Sequence, residues 1–493
     1  MFTYAKPEQT GVNSKNILRY IQSLENAGLS THNVIIAKGD KIIYENYYAP
    51  FHKDFLHRMY SVTKSFVSIA IGFLVQEGKV NLDDKIVDLF PSDITCGANE
   101  NMKKQTVRNM LMMSTGFPVT SNGWFARRPA DRVKDYFTCS DGESKIPGSY
   151  FEYDSPGSFV LCALVEEISG MEFMDFLRDR LFDKIGVSKE AYCLKCPGGH
   201  AWGDSALMCK PSDLLKVAKF TMNMGSWQGE QILSADYLRE ATSNLISTHS
   251  EDIPSCYGYG YLFWRQQQDS FFFNGMGCQI AVCVPHKDMI LVYNGDNQGI
   301  GSSKTVVINN FYNMIVNEAS DNSLKADDNA YEALISYSKN LKLMCCKGEA
   351  KSPVIHKING KKFVADKNPM GITDITFTFS EDGGIMTYTN AQGHKELPFA
   401  FGKNVFCTFP QSGYSDLCAT ERLDNHYYQC ASSAQWLTEN ELYINVQIID
   451  KYFGRLHMYF SFFDDNTVCI RMRKIAEDFL DEYHGTALAK LLF

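Results

Sequence analysis

The sequence predicts an α/β (α+β) protein in which a long mixed segment is followed by a shorter β-rich one. Apolar residues recur at helical spacing in several stretches, most clearly over residues 61–77. Beyond about residue 355, short alternating runs are separated by turn residues, which is typical of an antiparallel β domain. A polar, acidic stretch at residues 317–329 separates the two patterns and is the best linker candidate.

These patterns divide the chain into three predicted parts. The first is a domain over residues 1–320, and the second is a linker with a helix over residues 321–354. The third is a C-terminal β-rich domain, a barrel or a sandwich, over residues 355–493. A length of 493 residues accommodates two to four domains of ordinary size.

Local signals place the elements of the first part in order. Asn13 and Ser14 are N-cap candidates for the first helix, Lys38-Gly39-Asp40 is a hairpin signal, and Gly78 is a C-cap. The expected helices lie at residues 14–27, 61–77, 107–113, 157–169, 171–184, 211–224, 304–319 and 330–343. The expected strands lie at residues 33–37, 41–48, 258–265, 270–273, 279–284 and 289–294. In the last part, strands are expected at residues 373–379, 385–389, 404–409, 441–449, 455–463 and 467–472.

Composition excludes several broad classes of protein. Hydrophobic residues make up 45% of the chain, which rules out wholesale disorder. The formal net charge is −9, which disfavours a nucleic-acid partner. The longest apolar run, residues 66–75, is too short to span a bilayer, and the N-terminal residues lack a charged-then-apolar signal pattern. We therefore expect a cytoplasmic protein with no membrane or nucleic-acid partner.

The 15 cysteines agree with a reducing compartment, because their number is odd and most lie in apolar segments. One CxxC occurs at Cys193 and Cys196, with His200 and Cys209 nearby. A zinc site would need a second pair of ligands at a recognisable spacing. We interpret this stretch as a structural loop, and predict no metal site.

The strongest chemical signal is Ser61-Val62-Thr63-Lys64 at the start of an amphipathic helix. Residues three apart share a helix face, so the Ser61 hydroxyl and the Lys64 amine can meet. A serine needs a base within hydrogen-bond reach to act as a nucleophile, and a partly desolvated neutral lysine can serve. The helix N-terminus also favours an oxyanion developing beside the serine. The S-x-x-K pattern alone also arises by chance.

Tyr153-Asp154-Ser155 is the second signal, and it precedes a predicted helix. A tyrosine there can relay a proton if cations lower its pKa. The alternative is a tyrosine that anchors a turn, with Ser155 as the N-cap of the next helix.

The third signal is the glycine-rich stretch Phe273-Asn274-Gly275-Met276-Gly277-Cys278-Gln279 between two strand-like runs. A glycine-rich strand edge lets a substrate approach the backbone and offers N–H donors to a carbonyl oxygen. The alternative interpretation is a bulged hairpin or an ordinary edge strand.

In this order and spacing, the three signals resemble the serine β-lactamase and penicillin-binding-protein-like superfamily. The most similar branch is class C β-lactamase-like, with its esterases, D-stereospecific aminopeptidases and 6-aminohexanoate-dimer hydrolases. The text around the serine, HRMYSVTKSFVSIAIGFLVQEGKVNLDDKIVDLFP, is similar to the family's nucleophile helix and the loop after it. Further similar stretches are VRNMLMMSTGFP and YGYGYLFW, and the resemblance covers about residues 10–317.

The resemblance implies a β-lactamase/transpeptidase-like fold, with a central antiparallel sheet flanked by helices and an all-helical subdomain. It implies that Ser61 is acylated, that Lys64 helps to remove the Ser61 proton, and that Tyr153 passes a proton to the leaving group. Ser155 falls where this branch usually has an asparagine that contacts the substrate. The oxyanion hole would combine the backbone N–H groups of Ser61 and of Met276. No metal or organic cofactor is implied.

Asn274, Gly275 and Gly277 complete the predicted oxyanion and substrate-binding segment. The family's β-lactamases carry a lysine or histidine on this strand, and here no cation stands at residues 273–275. This departure disfavours recognition of β-lactams and of D-Ala-D-Ala, and favours an ester or a different amide.

Other residues are weaker candidates. Arg127 and Arg128, with Trp124, could bind a substrate carboxylate, or they could form a solvated surface. Asp204 and Ser205 lie in a glycine-containing loop, residues 202–206, which the resemblance implies lies toward the cleft. Shaping a turn is their simpler role. His57 and His200 are most simply structural.

We therefore predict a serine hydrolase acting on a small ester, amide or peptide-like substrate, which could form a homo-oligomer. The alternatives are a β-lactamase or D-amino-acid peptidase, and a catalytically weak binding or regulatory protein on the same scaffold.

Overall fold

The computed structural model describes residues 2–117, 131–138, 145–248, 257–413, 425–464, 466–477 and 479–492. The chain forms two compact units, Met1–Lys342 and Leu343–Phe493. The helices of the first unit are α1 (Ser14–Asn26), α2 (Val62–Gln76), α3 (Ser92–Thr95), α4 (Val107–Leu111), α5 (Arg132–Thr138), α6 (Ser155–Ser169), α7 (Phe173–Leu177), α8 (Asp183–Ile185), α9 (Pro211–Met222), α10 (Ala235–Ala241), α11 (Ser303–Phe311) and α12 (Asp328–Ser338). Its strands are β1 (Thr3–Tyr4), β2 (Thr31–Lys38), β3 (Lys41–Tyr47), β4 (His57–Arg58), β5 (Tyr192–Cys193), β6 (Leu207–Cys209), β7 (Ser226–Trp227), β8 (Glu230–Gln231), β9 (Gly258–Tyr259), β10 (Trp264–Arg265), β11 (Phe271–Gly275), β12 (Gln279–Val284) and β13 (Met289–Gly295).

An eight-stranded sheet in the order β1-β3-β2-β13-β12-β11-β10-β9 forms the centre of this unit. All its neighbouring strands are antiparallel except β1 and β3. Helix α9 packs on β12 and β13, and α2 packs on β11 and on α6. The predicted central antiparallel sheet flanked by helices is therefore confirmed.

Helix α2 lies in the interior of the unit. All thirteen residues from Val62 to Leu74 are buried, on every side of the helix. A helix that is apolar all round is expected to be buried in this way, and Lys64 is its one charged residue. The helix that carries the candidate nucleophile is thus fixed by packing on all faces.

One strand expectation was wrong. Residues 258–265 form two short antiparallel strands, β9 and β10, instead of one continuous strand. The chain reverses between them, where Leu262 adopts a positive φ of 60° and the Gly260 N–H donates to the Phe263 carbonyl. This tight reversal positions Trp264 beside Ser61 in one cleft.

A small three-stranded sheet, β4-β6-β5, sits beside the start of α2. His57 pairs with Cys209, and Arg58 pairs with Met208. The segment that leads into Ser61 is therefore held next to the loop that precedes β6.

In the described part of the second unit, a ten-stranded sheet is accompanied by a short α-helix and a 3-10 turn at Asp481–Tyr483. Its elements are α13 (Ile355–Ile358), β14 (Lys362–Ala365), β15 (Asp374–Ser380), β16 (Gly383–Asn390), β17 (Gly393–Phe401), β18 (Val405–Thr408), β19 (Gln429–Thr438), β20 (Glu441–Ile449), β21 (Phe453–Asp464), β22 (Thr467–Ile475) and β23 (Gly485–Leu491). The sheet closes into a barrel because β17 pairs with β19 as well as with β16. Strand β22 shows the alternation expected of a barrel wall, with Val468, Ile470 and Met472 buried inside.

Among the helices of the described residues, none has both the length and the apolar character that crossing a bilayer requires.

Candidate active site

Ser61 immediately precedes α2 and is held by the segment before it. The Met59 N–H donates to the Leu207 carbonyl at 2.8 Å, which ties this segment to the start of β6. Tyr60 adopts a positive φ of 46°, a conformation that costs a bulky residue free energy and is common at functional turns. Its ring is buried against the Arg58 guanidinium, 4.4 Å away. The turn therefore presents Ser61 at the positive end of a 15-residue helix.

Lys64 lies one helical turn after Ser61, and its amine is buried beside the serine. Its Nζ donates a 2.9 Å hydrogen bond to the Ser61 Oγ. The same Nζ donates to the backbone carbonyl of Asp204 at 2.5 Å. Only 1% of the Lys64 surface is exposed. The spacing of three residues thus gives the contact that the sequence predicted.

Tyr153 approaches the same amine from the loop before α6. The Lys64 Nζ lies 5.1 Å from the centroid of the Tyr153 ring. On the other side, the ring stacks on Trp264, with centroids 5.9 Å apart and planes at 20°. The three side chains of Ser61, Lys64 and Tyr153 are therefore brought together.

The neighbouring residue, Asp154, fixes the loop that carries Tyr153. Its buried carboxylate accepts from the Gly157 N–H at 2.8 Å, from Thr115 at 2.8 Å and from Tyr136 at 3.0 Å. Burial raises the pKa of Asp154, although these hydrogen bonds oppose the shift. Asp154 is therefore the N-cap of α6, and the expectation that Ser155 caps this helix was wrong. Ser155 is the first residue of α6, and its predicted contact with substrate stays a prediction.

The end of strand β11 forms the opposite wall. Gly275 lies so close to the segment before Ser61 that a Cβ atom there would sit 2.4 Å from the Met59 carbonyl oxygen. Gly277 follows in the turn with a positive φ of 72°. The Gln279 side chain fixes this turn by donating to the carbonyls of Met276 at 3.2 Å and Gly295 at 2.6 Å. Glycine at 275 is thus needed for the strand to approach the nucleophile.

These walls enclose a cleft of about 480 Å³. It is lined by Ser61, Phe151, Glu152, Tyr153, Thr248, Trp264, Asn274, Gly275, Met276 and Lys304. The predicted residues Asn274, Gly275 and Met276 are among them, whereas Ser155 and Gly277 are not. The Asn274 Oδ1 is buried and has no hydrogen-bond partner among the described residues.

The sequence did not single out Trp264 or Lys304 as cleft residues. Trp264 was assigned to a continuous strand, and Lys304 was assigned only to a helix. Residues 273–275 carry no cation, and α11 brings the lysine Lys304 to the cleft. The other charged residue that lines the cleft, Glu152, pairs with Lys145 at 2.8 Å.

The weaker candidates have different positions. Trp124, Arg127 and Arg128 lie outside the described residues. His57 is completely buried, and desolvation lowers its pKa to about 3. His200 pairs with Glu166 at 2.7 Å, and this hydrogen bond raises the pKa of the imidazole.

Cys193, Cys196 and Cys209 of the CxxC region are buried. Within the ranges that the structure covers, no group of three or more histidine, cysteine or acidic side chains is arranged to hold a metal.

The loop at residues 202–206 contributes more to the site than the sequence indicated. The Asp204 carbonyl accepts from Lys64, and the Asp204 carboxylate pairs with Arg132. Ser205 accepts hydrogen bonds from Arg58 at both its carbonyl and its hydroxyl oxygen.

The fold and this cleft define a protein of the serine β-lactamase and penicillin-binding-protein-like class. The chain belongs to the Beta-lactamase family, a sequence model of which matches residues 19–298. The predicted resemblance is thereby confirmed.

Known proteins support the same assignment. A 6-aminohexanoate-dimer hydrolase of Paenarthrobacter ureafaciens is 22% identical over 223 residues, which is 42% of this chain and 56% of that protein. The chain thus matches just over half the length of this relative, and about a third of two penicillin-binding proteins.

Two solved structures share the fold. The octameric penicillin-binding protein homologue from Pyrococcus abyssi aligns with 96% of this chain and 99% of its own, at a TM-score of 0.50 and 15% identity. EstCE1, described as a hydrolase with promiscuous acyltransferase activity, aligns with 61% of this chain and 99% of its own, also at 0.50 and 15%. At such identities these likenesses establish the fold alone.

Proposed function

We propose that this protein is a serine hydrolase that cleaves a small ester or amide through an acyl-enzyme on Ser61. The observation that carries the proposal is the 2.9 Å contact between the Lys64 Nζ and the Ser61 Oγ beside an accessible cleft. A buried amine in contact with a hydroxyl at a helix N-terminus is an arrangement suited to nucleophilic catalysis.

In the first step, neutral Lys64 accepts the Ser61 proton while the Oγ attacks the substrate carbonyl. The backbone N–H groups of Ser61 and Met276 are the proposed donors to the oxyanion. Tyr153 then passes the proton that Lys64 accepted to the leaving alcohol or amine as the scissile bond breaks, which returns Lys64 to its neutral form. This role is supported by the position of its ring, 5.1 Å from the Lys64 Nζ.

In the second step, water attacks the acyl-enzyme and Ser61 leaves with a proton. The same amine and phenol serve in reverse, since they already lie beside the serine. Splitting the reaction in this way replaces one difficult step by two easier ones. We propose no metal or organic cofactor for either step.

The cleft favours substrates with an apolar part and a negative charge. Phe151 and Trp264 supply aromatic surface, and Lys304 supplies positive charge. The relative named 6-aminohexanoate-dimer hydrolase agrees with a hydrolytic reaction on a small substrate.

A β-lactam or a D-amino-acid peptide is the second candidate class, because Lys304 could pair with the carboxylate of such substrates. Since strand β11 has no cation at residues 273–275, we expect nitrocefin, a chromogenic β-lactam, to be hydrolysed slowly or not at all. Turnover of nitrocefin as fast as that of the best ester would place the protein in this second class.

Labelling with a fluorophosphonate probe tests the nucleophile directly. The wild-type protein should be labelled at Ser61, as found by mass spectrometry of the modified peptide. Ser61→Ala should abolish labelling, whereas Ser149→Ala, which changes an exposed serine near the cleft, should not. Absence of wild-type labelling, or labelling unchanged in Ser61→Ala, would favour a binding or regulatory role instead.

Paired chromogenic esters test the substrate class. We expect an ester whose acyl chain ends in a carboxylate to react faster than the neutral ester of equal length. Lys304→Met should remove this preference by raising KM for the charged ester alone. An equal loss on both esters would assign Lys304 a structural role.

A homo-oligomer also stays a prediction. Light scattering during size-exclusion chromatography would measure the assembled mass.

A further inference from the structure

A buried ion pair lies directly behind the Lys64 amine. The Arg132 guanidinium, at the start of α5, donates to both carboxylate oxygens of Asp204, at 2.9 Å and 3.1 Å. The side chains are 5% and 0% exposed. The guanidinium also lies over the Phe159 ring of α6, 4.2 Å from its centroid. The pair is thus bidentate, desolvated and held in one orientation.

Asp204 connects this pair to the candidate catalytic group. Its carbonyl oxygen accepts from the Lys64 Nζ, while its carboxylate faces Arg132. Asp204 therefore contacts Lys64 through its neutral carbonyl and Arg132 through its charged carboxylate. Without Arg132, the Asp204 carboxylate would carry an uncompensated negative charge on the same residue whose carbonyl contacts the amine, and this charge would favour the protonated form of Lys64.

A protonated Lys64 cannot accept the Ser61 proton. A buried ion pair is also a poor way to gain stability, because both charges lose their hydration. The position of this pair is better explained by what it does to the neighbouring amine than by its contribution to the fold.

We infer that Arg132 is a positioning residue that acts through Asp204, holding the Asp204 carboxylate in an ion pair while the Asp204 carbonyl contacts the Lys64 amine. This inference rests on the proposed role of Ser61 and Lys64. It extends that role to a residue that no sequence motif identifies.

Other titratable and charged groups lie near the pair, and Arg58 is a second cation among them. Arg58 contacts Ser205 and lies between the rings of Tyr60 and Trp202. Cys162 and Cys193 are buried, which raises the pKa of both thiols well above the ordinary value and keeps them neutral. The remaining groups are Tyr153, the Cys196 thiol, which accepts from Arg132, and Glu166, which is paired with His200.

The test follows the rate of fluorophosphonate labelling against pH, because this readout needs no knowledge of the substrate. In Arg132→Met the released carboxylate should favour protonated Lys64, so the pH of half-maximal labelling should rise by about one unit. In Asp204→Asn the backbone carbonyl of residue 204 remains, but the Arg132 guanidinium loses its carboxylate partner. Its uncompensated positive charge should disfavour protonated Lys64, so the pH of half-maximal labelling should fall. The double variant should return close to the wild-type midpoint.

Lys219→Met is the matched control. Lys219 is also a buried cation in an ion pair, 2.7 Å from Asp288, but it lies by the turn between β12 and β13. Its replacement should leave the pH midpoint unchanged. Arg132→Lys keeps a charge without the two-pronged geometry and serves if Arg132→Met does not fold. It should shift the midpoint in the same direction by a smaller amount.

The possible outcomes separate the two proposals. Opposite shifts in the single variants, cancelled in the double variant, would support the inference. Folded variants that label more slowly but share the wild-type midpoint would overturn it and leave the proposed function intact. Absence of labelling in the wild-type protein would overturn the proposed function itself.

Discussion

The Lys64 amine lies 2.9 Å from the Ser61 hydroxyl oxygen, one turn along a helix that is buried on every side. The contact is therefore set by the backbone spacing of the helix and by the packing around it. Lys64 has little freedom to move away from the serine, because its Nζ is also bound to the Asp204 carbonyl.

Lys64→Met should lower the rate of Ser61 labelling by about 10²- to 10⁴-fold, the range expected for loss of a general base. The measurement is the second-order rate constant for a fluorophosphonate probe. Lys219→Met again provides a buried-lysine control. A Lys64→Met variant that labels at the wild-type rate would show that another group removes the serine proton.

Tyr153→Phe removes only a hydroxyl and should retain the stacking on Trp264. We expect kcat on a chromogenic ester to fall by about 10²-fold or more, with a small change in KM, because the phenol transfers a proton and binds little of the substrate. Tyr150→Phe, which alters an exposed tyrosine three residues away, should behave as wild type. A change in KM alone would show that Tyr153 contacts the substrate but transfers no proton.

Gly275→Ala should displace strand β11 from the nucleophile, since the new methyl group would sit 2.4 Å from the Met59 carbonyl oxygen. Backbone atoms cannot rotate away as a side chain can, so the proposed Met276 donor should shift. We expect labelling to slow by about 10²-fold, comparable to the loss of one oxyanion donor.

Gly301→Ala is the control, because no atom lies within 4 Å of a Cβ placed there. Equal labelling rates in the two variants would mean that β11 takes no part in acylation.

His57 should make the first unit sensitive to acid. Its folded-state pKa is about 3, because the buried imidazole is desolvated, whereas an unfolded histidine titrates near 6.5. Below about pH 6.5 the unfolded chain binds a proton that the folded chain does not, so stability falls as the pH is lowered. From about pH 6.5 to pH 5 the loss should be about 2 kcal/mol.

Urea titrations at neutral and acidic pH would measure this dependence. His57→Gln should show a shallower fall in the free energy of unfolding, whereas His394→Gln, at an exposed site, should match wild type. Identical pH dependence in all three proteins would show that His57 becomes protonated in the folded state.

Much of the fold follows from the sequence where one pattern decides the structure. Strands β12 and β20 lie where the apolar runs predicted them, at 279–284 and 441–449. Residues 258–265 were misassigned, because the aromatic run indicates a strand while the reversal at Leu262 depends on contacts with the Leu111 carbonyl and other distant groups. In the β-rich part, strand alternation could not distinguish a barrel from a sandwich, since closure depends on the pairing of β17 with β19.

The sequence likewise predicted some residues of the candidate site and not others. The pairing of Ser61 with Lys64 follows from helix geometry alone, and the position of Tyr153 followed from the resemblance. Arg132 and Lys304 were not predicted, because their relation to Ser61 exists only after distant helices pack together. The contact of Ser155 with substrate stays a prediction. The domain boundaries at residues 320 and 355 also stay predictions.

The burial of α2 has a consequence for heat tolerance. Helix α2 buries the Lys64 amine, which loses its hydration when the protein folds. This desolvation lowers the free energy of unfolding. Lys64→Met should therefore melt about 2 °C or more above wild type even as the chemistry is lost. Burial of a reactive amine in α2 would then lower the melting temperature of the protein.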